Sequence, residues 1–299
     1  MKKNYLLMIA LAAITFFGAG CSKEEGSNEL KVTTNIVKPS TKAILTEFSG
    51  STIGVFVAGT SNSTATVSTG ANAVTVSPPI SIDASTTVYA YYPATKKDEL
   101  TSPTSTSTKA IEVLSADDFS ATDQTDYLYA TPATVTTTNR TAELIFKHAL
   151  SKVVFKLKKA DDFSGAGVLS AISLYSSEKP FLSGTKGKML IAEGTISDLT
   201  ATSTLTYKDD TKPITLTADA KEAVALVAPT TLTNNIIITL TIDGDSYPGI
   251  FSISDVSAWE AGYAYTYKVT VDKNGGIIIG NVSITDWDIS ASETSLEVK

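Results

Sequence analysis

Residues 141–157 read Thr-Ala-Glu-Leu-Ile-Phe-Lys-His-Ala-Leu-Ser-Lys-Val-Val-Phe-Lys-Leu and form one of the most apolar stretches beyond residue 30. Apolar side chains recur at every second position from Leu144 to Phe146 and again from Val153 to Leu157, which is typical of β-strands. The segment 147–151 between them could be a bend, a bulge or one helical turn. We predict two strands here and divide the chain into domains at 30–143 and 144–299.

Short apolar runs separated by Ser, Thr, Gly, Pro and Asn continue on both sides of this stretch, a pattern typical of sandwiches and barrels. Asp243-Gly244 predicts a hairpin turn between two of the runs. The chain is also rich in β-branched and aromatic residues, which suit a pleated surface. We therefore predict an all-β protein with strands near residues 30–37, 53–57, 74–76, 88–92, 127–130, 168–174, 223–228, 236–242, 263–271, 277–279 and 282–287.

The composition excludes several classes of function. The net charge is −7, and the one basic cluster that stands out lies between Lys152 and Lys159, so nucleic acid is not an expected partner. The sequence has one histidine, His148, which leaves little scope for histidine metal sites or histidine-assisted nucleophiles. We interpret His148 as a structural residue near the domain junction. We expect no metal and no cofactor.

Two other residue groups receive structural interpretations. The acidic pairs lack the regular ligand spacing of calcium loops and are interpreted as loop charges. Five tyrosines and both tryptophans are interpreted as core residues, although stacking on sugars is the alternative for the tyrosines; the residues are Tyr89, Tyr91, Tyr92, Tyr127, Tyr129, Trp259 and Trp287. Because the sequence shows no catalytic motif, we predict no catalytic residues and no enzyme activity.

The N-terminal 20 residues have the anatomy of a secretory signal peptide. Lys2 and Lys3 precede an apolar run over residues 5–17, and small residues lead to the single cysteine, Cys21. The run is shorter than the roughly 20 residues that a spanning helix needs. The placement of Cys21 looks like a bacterial lipobox and predicts acylation there; the alternative is an ordinary signal peptide with an incidental cysteine.

The residues after the cysteine predict where the protein is carried. Ser22, Lys23, Glu24 and Glu25 resemble the surface-export signal of Bacteroidota lipoproteins. Residues 21–29 then read as a lipidated, flexible tether. We expect a lipid-anchored protein on the outer face of the cell outer membrane.

Several segments together resemble the fimbrillin-like surface lipoproteins of Bacteroidota. The segments that carry the resemblance are 49–57, 89–93, 146–155, 228–229, 259–265 and 282–287, and they extend over nearly the whole chain after the signal peptide. The resemblance implies two tandem transthyretin-like Greek-key β-sandwich domains. It also implies a structural subunit of a surface fimbria, or pilus, that acts in adhesion.

The resemblance further implies assembly by proteolysis and donor-strand exchange. A trypsin-like protease would cut between Lys42 and Ala43, although the family usually has arginine at that position. The strand 30–37 would leave, and the C-terminal segment of the next subunit would fill the groove. The candidate donor strand comprises Ser295, Leu296, Glu297, Val298 and Lys299, together with the preceding 282–289 region.

Alternatives remain open at each of these points. Lys42 could be an ordinary loop lysine, in which case an uncut chain would stay lipid-anchored as an anchor subunit. The C-terminal segment could be a frayed edge strand.

The expected partners are other pilus subunits, the outer membrane and a host or bacterial receptor. A glycan-binding lipoprotein for nutrient uptake is the alternative function, and a β-sandwich hydrolase is a weaker one.

Overall fold

The computed structural model describes residues 28–35, 52–59, 63–67, 73–94, 102–114, 124–208, 212–232, 236–251, 256–272, 276–287 and 296–297. Within these ranges every regular element longer than a turn is a β-strand, so the prediction of an all-β protein is confirmed. Across the same ranges, no helix has the length and apolarity needed to cross a membrane.

The strands are numbered in chain order. Those before residue 149 are β1 (Lys31–Asn35), β2 (Thr52–Val57), β3 (Ser63–Val67), β4 (Ala73–Ser77), β5 (Thr86–Tyr92), β6 (Thr108–Val113), β7 (Leu128–Ala130), β8 (Ala133–Val135) and β9 (Thr141–His148). The later strands are β10 (Ser151–Lys159), β11 (Val168–Tyr175), β12 (Phe181–Leu190), β13 (Ile196–Ser197), β14 (Thr200–Thr202), β15 (Thr204–Lys208), β16 (Ile214–Thr215), β17 (Lys221–Val227), β18 (Thr230–Thr231), β19 (Ile236–Ile242), β20 (Asp245–Phe251), β21 (Ala258–Trp259), β22 (Tyr263–Val271), β23 (Ile277–Asp286) and β24 (Leu296–Glu297).

The first half of the chain forms a closed ring of strands. The order is β2-β3-β4-β1-β9-β7-β5, and β5 pairs back onto β2, while β8 joins β5 outside the ring. The enclosed core consists of alternate side chains from these strands, as expected for a sheet that closes on itself. Its buried members include Ile53, Val55, Val88, Leu128 and Leu144.

The second half forms two sheets that face each other. One sheet has the order β17-β10-β22-β23-β24, and the other has the order β15-β11-β19-β20 with β16 paired to β11. Their inner faces share one apolar core that includes Phe155, Leu240 and Trp259. The indole N–H of Trp259 donates to the hydroxyl of Tyr267 at 2.9 Å, so the polar atom of this buried ring is satisfied.

The hairpin predicted from Asp243-Gly244 is confirmed. Residues 243 and 244 join β19 to β20, and Ile242 lies opposite Asp245. Both turn residues have positive φ, at 54° and 88°. Asp and Gly tolerate this left-handed conformation, which the tight hairpin turn requires.

A bend at residues 149–150 carries the chain from the first half to the second. It is one of the three alternatives that the sequence left open for this segment. Strand β9 lies wholly in the ring, with His148 opposite Leu128, so it extends across the predicted boundary at residues 143–144. The next strand, β10, lies in the sandwich, where it pairs with β17 and β22.

A third apolar cluster connects the ring to the sandwich. Strand β6 from the first half pairs with β12 from the second, with Met189 opposite Lys109. Buried residues from both halves pack together around this sheet: Phe56, Tyr89, Tyr91, Ile111, Val113, Tyr127, Ala149, Leu150, Met189, Ile191, Leu226, Ala228 and Trp287. The two halves therefore share buried apolar surface.

Candidate strand-exchange site

Strand β1 is held between two neighbours in the ring. It runs parallel to β9, with Lys31 opposite Thr141, and antiparallel to β4, with Val32 opposite Val74. Just before the strand, the main-chain N–H of Leu30 donates to the carbonyl of Ile80 at 2.8 Å. Both edges of the segment thus make main-chain hydrogen bonds.

Alternate side chains of this segment fill the ring. Leu30 and Val32 are 6% and 1% exposed, and Thr34 is also buried, whereas Lys31 faces solvent. Burying Leu or Val contributes roughly 1.5–3 kcal/mol per side chain. Ala142, Leu144 and Phe146 of β9, with residues of β4, belong to the same core. Removing β1 would therefore leave an apolar groove with unpaired main-chain groups on both walls.

The predicted donor segment lies on a different sheet. Strand β24 pairs antiparallel with β23, with Leu296 opposite Ile284 and Glu297 opposite Ser283. It is the outermost strand of that sheet. Ser295, Val298 and Lys299 lie outside the described residues.

The other predicted site residues fall outside the structural description. These are Cys21, the export-signal residues Ser22, Lys23, Glu24 and Glu25, and the cleavage residues Lys42 and Ala43. Lys42 lies in the sequence between β1 and β2, so a cut there would separate β1 from the remainder of the chain.

His148 anchors a buried polar cluster at the end of β9. Its side chain is 2% exposed, and Nδ1 lies 2.9 Å from Oδ2 and 3.1 Å from Oδ1 of Asp126. The imidazole ring stacks on Trp287, with 3.7 Å between ring centroids and 5° between planes. Lys152 is buried too, and burial lowers its pKa, an effect opposed by nearby Glu222 and Asp126. The interpretation of His148 as a structural residue is confirmed by its burial and its hydrogen bond to Asp126.

Gln124 covers the outer edge of β17. Its amide nitrogen donates to the carbonyl of Val224 at 2.8 Å, and its amide oxygen accepts the N–H of Leu226 at 2.6 Å. These are the two main-chain groups that an added strand would use. Neither Gln124 nor Asp126 was identified from the sequence, because both follow a polar stretch without periodicity.

The interpretation of aromatic residues as core is confirmed for five of them. Tyr89, Tyr91, Tyr127, Trp259 and Trp287 are each 9% exposed or less. The hydroxyl of Tyr127 accepts the main-chain N–H of Glu112 at 2.9 Å, which gives its polar end a partner. Stacking of sugars on these rings would require them to leave the core.

The described residues do not offer a metal centre. They contain no group of three or more His, Cys, Asp or Glu side chains placed to hold an ion. Asp243 instead accepts the main-chain N–H groups of Gly167 and Val168 at 2.9 and 2.8 Å. Its contacts are those of a loop-stabilising carboxylate.

Comparison with protein families identifies the class of protein. The fimbrillin-like family matches residues 41–287, which is most of the chain. The chain therefore belongs to the fimbrillin-like family, and the resemblance drawn from its sequence segments is confirmed. A search of curated proteins gave no significant match.

Solved structures share the fold at low sequence identity. A candidate cell adhesion protein from Bacteroides ovatus is 20% identical, with a TM-score of 0.64 over 88% of this chain and 99% of that chain. Another from Bacteroides uniformis is 20% identical, with a TM-score of 0.60 over 88% and 99%. The tip fimbrial protein Mfa3 from Porphyromonas gingivalis is 8% identical, with a TM-score of 0.51 over 87% and 100%.

Proposed function

We propose that this protein is a structural subunit of a surface fimbria that acts in adhesion, and that it assembles by exchange of β1. The observation that carries the proposal is the placement of β1. It is an interior strand of the ring, bonded on both sides, yet it lies near the N-terminus before a segment that contains Lys42. Membership of the fimbrillin-like family supports a structural rather than an enzymatic role.

The assembly step follows from the physics of sheet edges. While β1 is in place, the ring has no open gap at that position. Cleavage after Lys42 would allow β1 to leave, and the exposed main-chain groups of β4 and β9 would accept an extended strand from another subunit. An open apolar edge is an aggregation hazard, so retaining β1 until export would keep the precursor soluble.

The proposal includes the export and domain assignments made from the sequence. Residues 1–20 would be the signal peptide, Cys21 would carry the lipid, and residues 22–25 would direct the chain to the outer face of the outer membrane. Two or more acyl chains give stable anchoring. The ring and the sandwich would correspond to two tandem transthyretin-like domains, with the boundary placed at the bend that follows His148 instead of at residues 143–144 as assigned from the sequence.

To test this proposal, wild-type protein and a Lys42→Gln variant are taken from the cell surface, and the N-terminal residue and assembly state of each are determined. We expect wild-type chains in the polymer to begin at Ala43, and we expect the Lys42→Gln variant to remain monomeric. Lys38→Gln is the matched control in the same segment; trypsin-like proteases cut poorly before proline, and Pro39 follows Lys38. The control should polymerise normally.

Two results would redirect the proposal. Unchanged polymer from the Lys42→Gln variant would overturn the cleavage step. Wild-type protein found as an acylated, monomeric Cys21 form would indicate an anchor subunit or a binding lipoprotein. The glycan-binding alternative has less support, because Tyr89, Tyr91 and Tyr127 are buried.

A further inference from the structure

The outer strands of the sheets differ in how their free edges are protected. Gln124 covers the edge of β17, and Pro248 supplies no N–H at the edge of β20. On β6, the hydroxyl of Tyr127 accepts the main-chain N–H of Glu112 at 2.9 Å. Such features block an edge because unpaired main-chain groups otherwise accept a strand from another chain. Strand β15 is also an outer strand, since it pairs only with β11 in the described part of the chain.

The main chain of β15 points alternate residues toward its open edge. The hydroxyl of Thr202 donates to the carbonyl of Thr204 at 3.0 Å and accepts the N–H of Thr204 at 3.3 Å. Both main-chain groups of Thr204 are therefore directed away from β11. Hydrogen bonding to an antiparallel neighbour alternates along a strand, so Thr206 and Lys208 direct their main-chain groups away from β11 as well. Within the described ranges, no other strand or side chain bonds to the main-chain groups of Thr206 and Lys208 at this edge.

The open edge of β15 is complementary to itself. When two copies of Thr204–Lys208 meet antiparallel around a two-fold axis at Thr206, the two Thr206 residues face each other. Thr204 of each copy then faces Lys208 of the other. These are the residues whose main-chain groups point to the edge, so each facing pair is of the hydrogen-bonded kind, with about 5.5 Å between Cα atoms. Such a contact uses the same surface on both copies and closes on itself.

The surface beside this edge lacks the negative charge that keeps copies of the chain apart. The net charge of the chain is −7, which makes two copies repel each other in general. Three outward-facing rows run across β15, β11, β19 and β20 in register, beginning at Thr204, Thr206 and Lys208. Lys208 is the one charged residue in these rows. The two copies of Lys208 would lie four residues apart along the paired strands, or about 13 Å, which exceeds the screening length of about 8 Å at physiological salt.

We infer that the β15 edges of two copies of this chain pair antiparallel around a two-fold axis at Thr206. The sheet of each copy then continues into the sheet of the other. The contact is smaller than a standard protein interface, so it is weak between single copies and gains strength where several copies lie side by side. It leaves β1 in place, so it is independent of the proposed strand exchange.

Single cysteines test this register in full-length protein on the cell surface under mild oxidation. Thr206→Cys places two thiols at the axis, where the Cα separation suits a disulfide. Thr204→Cys alone and Lys208→Cys alone are the matched controls, because each thiol then lies about 13 Å from its own copy. Cells that produce both of these variants bring the two thiols opposite each other again. Wild-type protein measures the background from the natural Cys21.

Covalent dimers in boiled, non-reducing gels are the readout. We expect at least about tenfold more dimer from Thr206→Cys, and from Thr204→Cys mixed with Lys208→Cys, than from either control alone. No dimer above the wild-type background from Thr206→Cys would overturn the inference. Equal linkage from all the variants would overturn the two-fold register, and linkage to a protein of different mass would overturn a second copy as the partner.

A charge at the axis provides a second test in the same assay. Thr206→Lys, added to both the Thr204→Cys and the Lys208→Cys chains, puts two ammonium groups opposite each other at the axis. We expect at least about threefold less mixed dimer, from the repulsion of like charges at roughly 6 Å. Thr239→Lys adds the same charge to the same outer surface, two strands from the edge, and should leave the yield unchanged. Equal losses from Thr206→Lys and Thr239→Lys would contradict a contact at the β15 edge.

Discussion

The ring and the sandwich enclose their cores in different ways. In the ring, β5 returns to β2, so each of the seven strands along the closed path has two neighbours. The sandwich has outer strands at both ends of its sheets, including β15, β17 and β20. A core closed by pairing can be opened by removing one strand, whereas a core between two sheets has edges from the beginning.

Two outer strands of the sandwich, β17 and β20, carry features that discourage pairing with other chains. Gln124 occupies the main-chain groups at the edge of β17. Pro248 lies within β20, where it supplies no N–H to an added strand. Natural sheets protect their edges in this manner. Two edges of the sandwich, those of β17 and β20, are therefore protected, whereas strand exchange is proposed for the ring at the position of β1.

The largest expected loss of unfolding free energy comes from removing a buried leucine from either core. Such variants also test whether the two cores unfold independently. Leu144 of the ring and Leu240 of the sandwich are both 0% exposed. We expect Leu144→Ala and Leu240→Ala each to lower the free energy of unfolding by roughly 3–4 kcal/mol. Because the third cluster and the β6–β12 pairing join the halves, both variants should shift one common transition in urea, followed by tryptophan fluorescence and far-UV circular dichroism.

An exposed leucine provides the control for the Leu144→Ala and Leu240→Ala variants. Leu114 is 46% exposed, so Leu114→Ala should change the free energy of unfolding by no more than about 0.5 kcal/mol. Two separate transitions, each shifted by the variant in its own half, would show that ring and sandwich are energetically independent.

A smaller loss of unfolding free energy is expected when His148, at the end of β9, is replaced. His148→Ala removes a hydrogen-bond partner of the buried Asp126 side chain and the ring stacked on Trp287. Truncating a buried, hydrogen-bonded ring leaves a cavity and takes a hydrogen bond from the Asp126 carboxyl, so we expect a loss of about 3 kcal/mol in urea unfolding. Lys147→Ala, the exposed neighbour on the same strand, is the matched control and should be near neutral. Equal losses from both variants would contradict a specific role for His148.

The sequence predicted local features of this fold better than strand partners. Period-two alternation identified β9 and β10, and Asp243-Gly244 identified a turn, because each signal depends on neighbouring residues. Alternation shows which face a side chain takes but does not show which strand lies alongside. The closure of β5 onto β2 and the pairing of β6 with β12 were therefore not predicted.

The candidate strand-exchange site shows the same difference between local features, which were predicted, and distant contacts, which were not. The strand at 30–37 was predicted from its own residues and is present as β1, but its neighbours β4 and β9 are more than thirty residues away. Asp126 and Gln124 act through contacts with residues 148 and 224–226. Nothing in their immediate sequence distinguishes them from loop residues, since their role depends on the tertiary fold.

A further loss, smaller than that at His148, is expected at the covered edge of β17. Gln124→Ala removes two hydrogen bonds to the main chain of that strand, at Val224 and Leu226. We expect the free energy of unfolding to fall by about 1.5 kcal/mol, and hydrogen exchange at the Leu226 amide to accelerate. Thr125→Ala, at an exposed adjacent position, should do neither. Unchanged exchange in the Gln124→Ala variant would show that the side chain does not protect this edge.

The smallest expected effect is a pH dependence of the free energy of unfolding, caused by Asp243 in the sandwich. The N–H of Gly167 is the main cause that holds the pKa of Asp243 below its ordinary value of 3.8; desolvation opposes it, and the N–H of Val168 and the charge of Lys159 lower the pKa further. A carboxyl whose folded pKa is lowered stabilises the protein above its unfolded pKa, and that contribution is lost as pH falls through the folded pKa. Since Asp243 is exposed, we expect Asp243→Asn to cost less than about 1 kcal/mol at neutral pH.

Asparagine is a suitable replacement because it also tolerates the positive φ at residue 243. Urea unfolding of both proteins as a function of pH is the measurement. The difference between wild type and variant should shrink as the solution becomes more acidic, because protonation removes the charge that the Gly167 and Val168 N–H groups favour. A difference that grows with acidity would show that the carboxylate is disfavoured in the folded state, and that the β19–β20 hairpin is held by its turn geometry rather than by this charge.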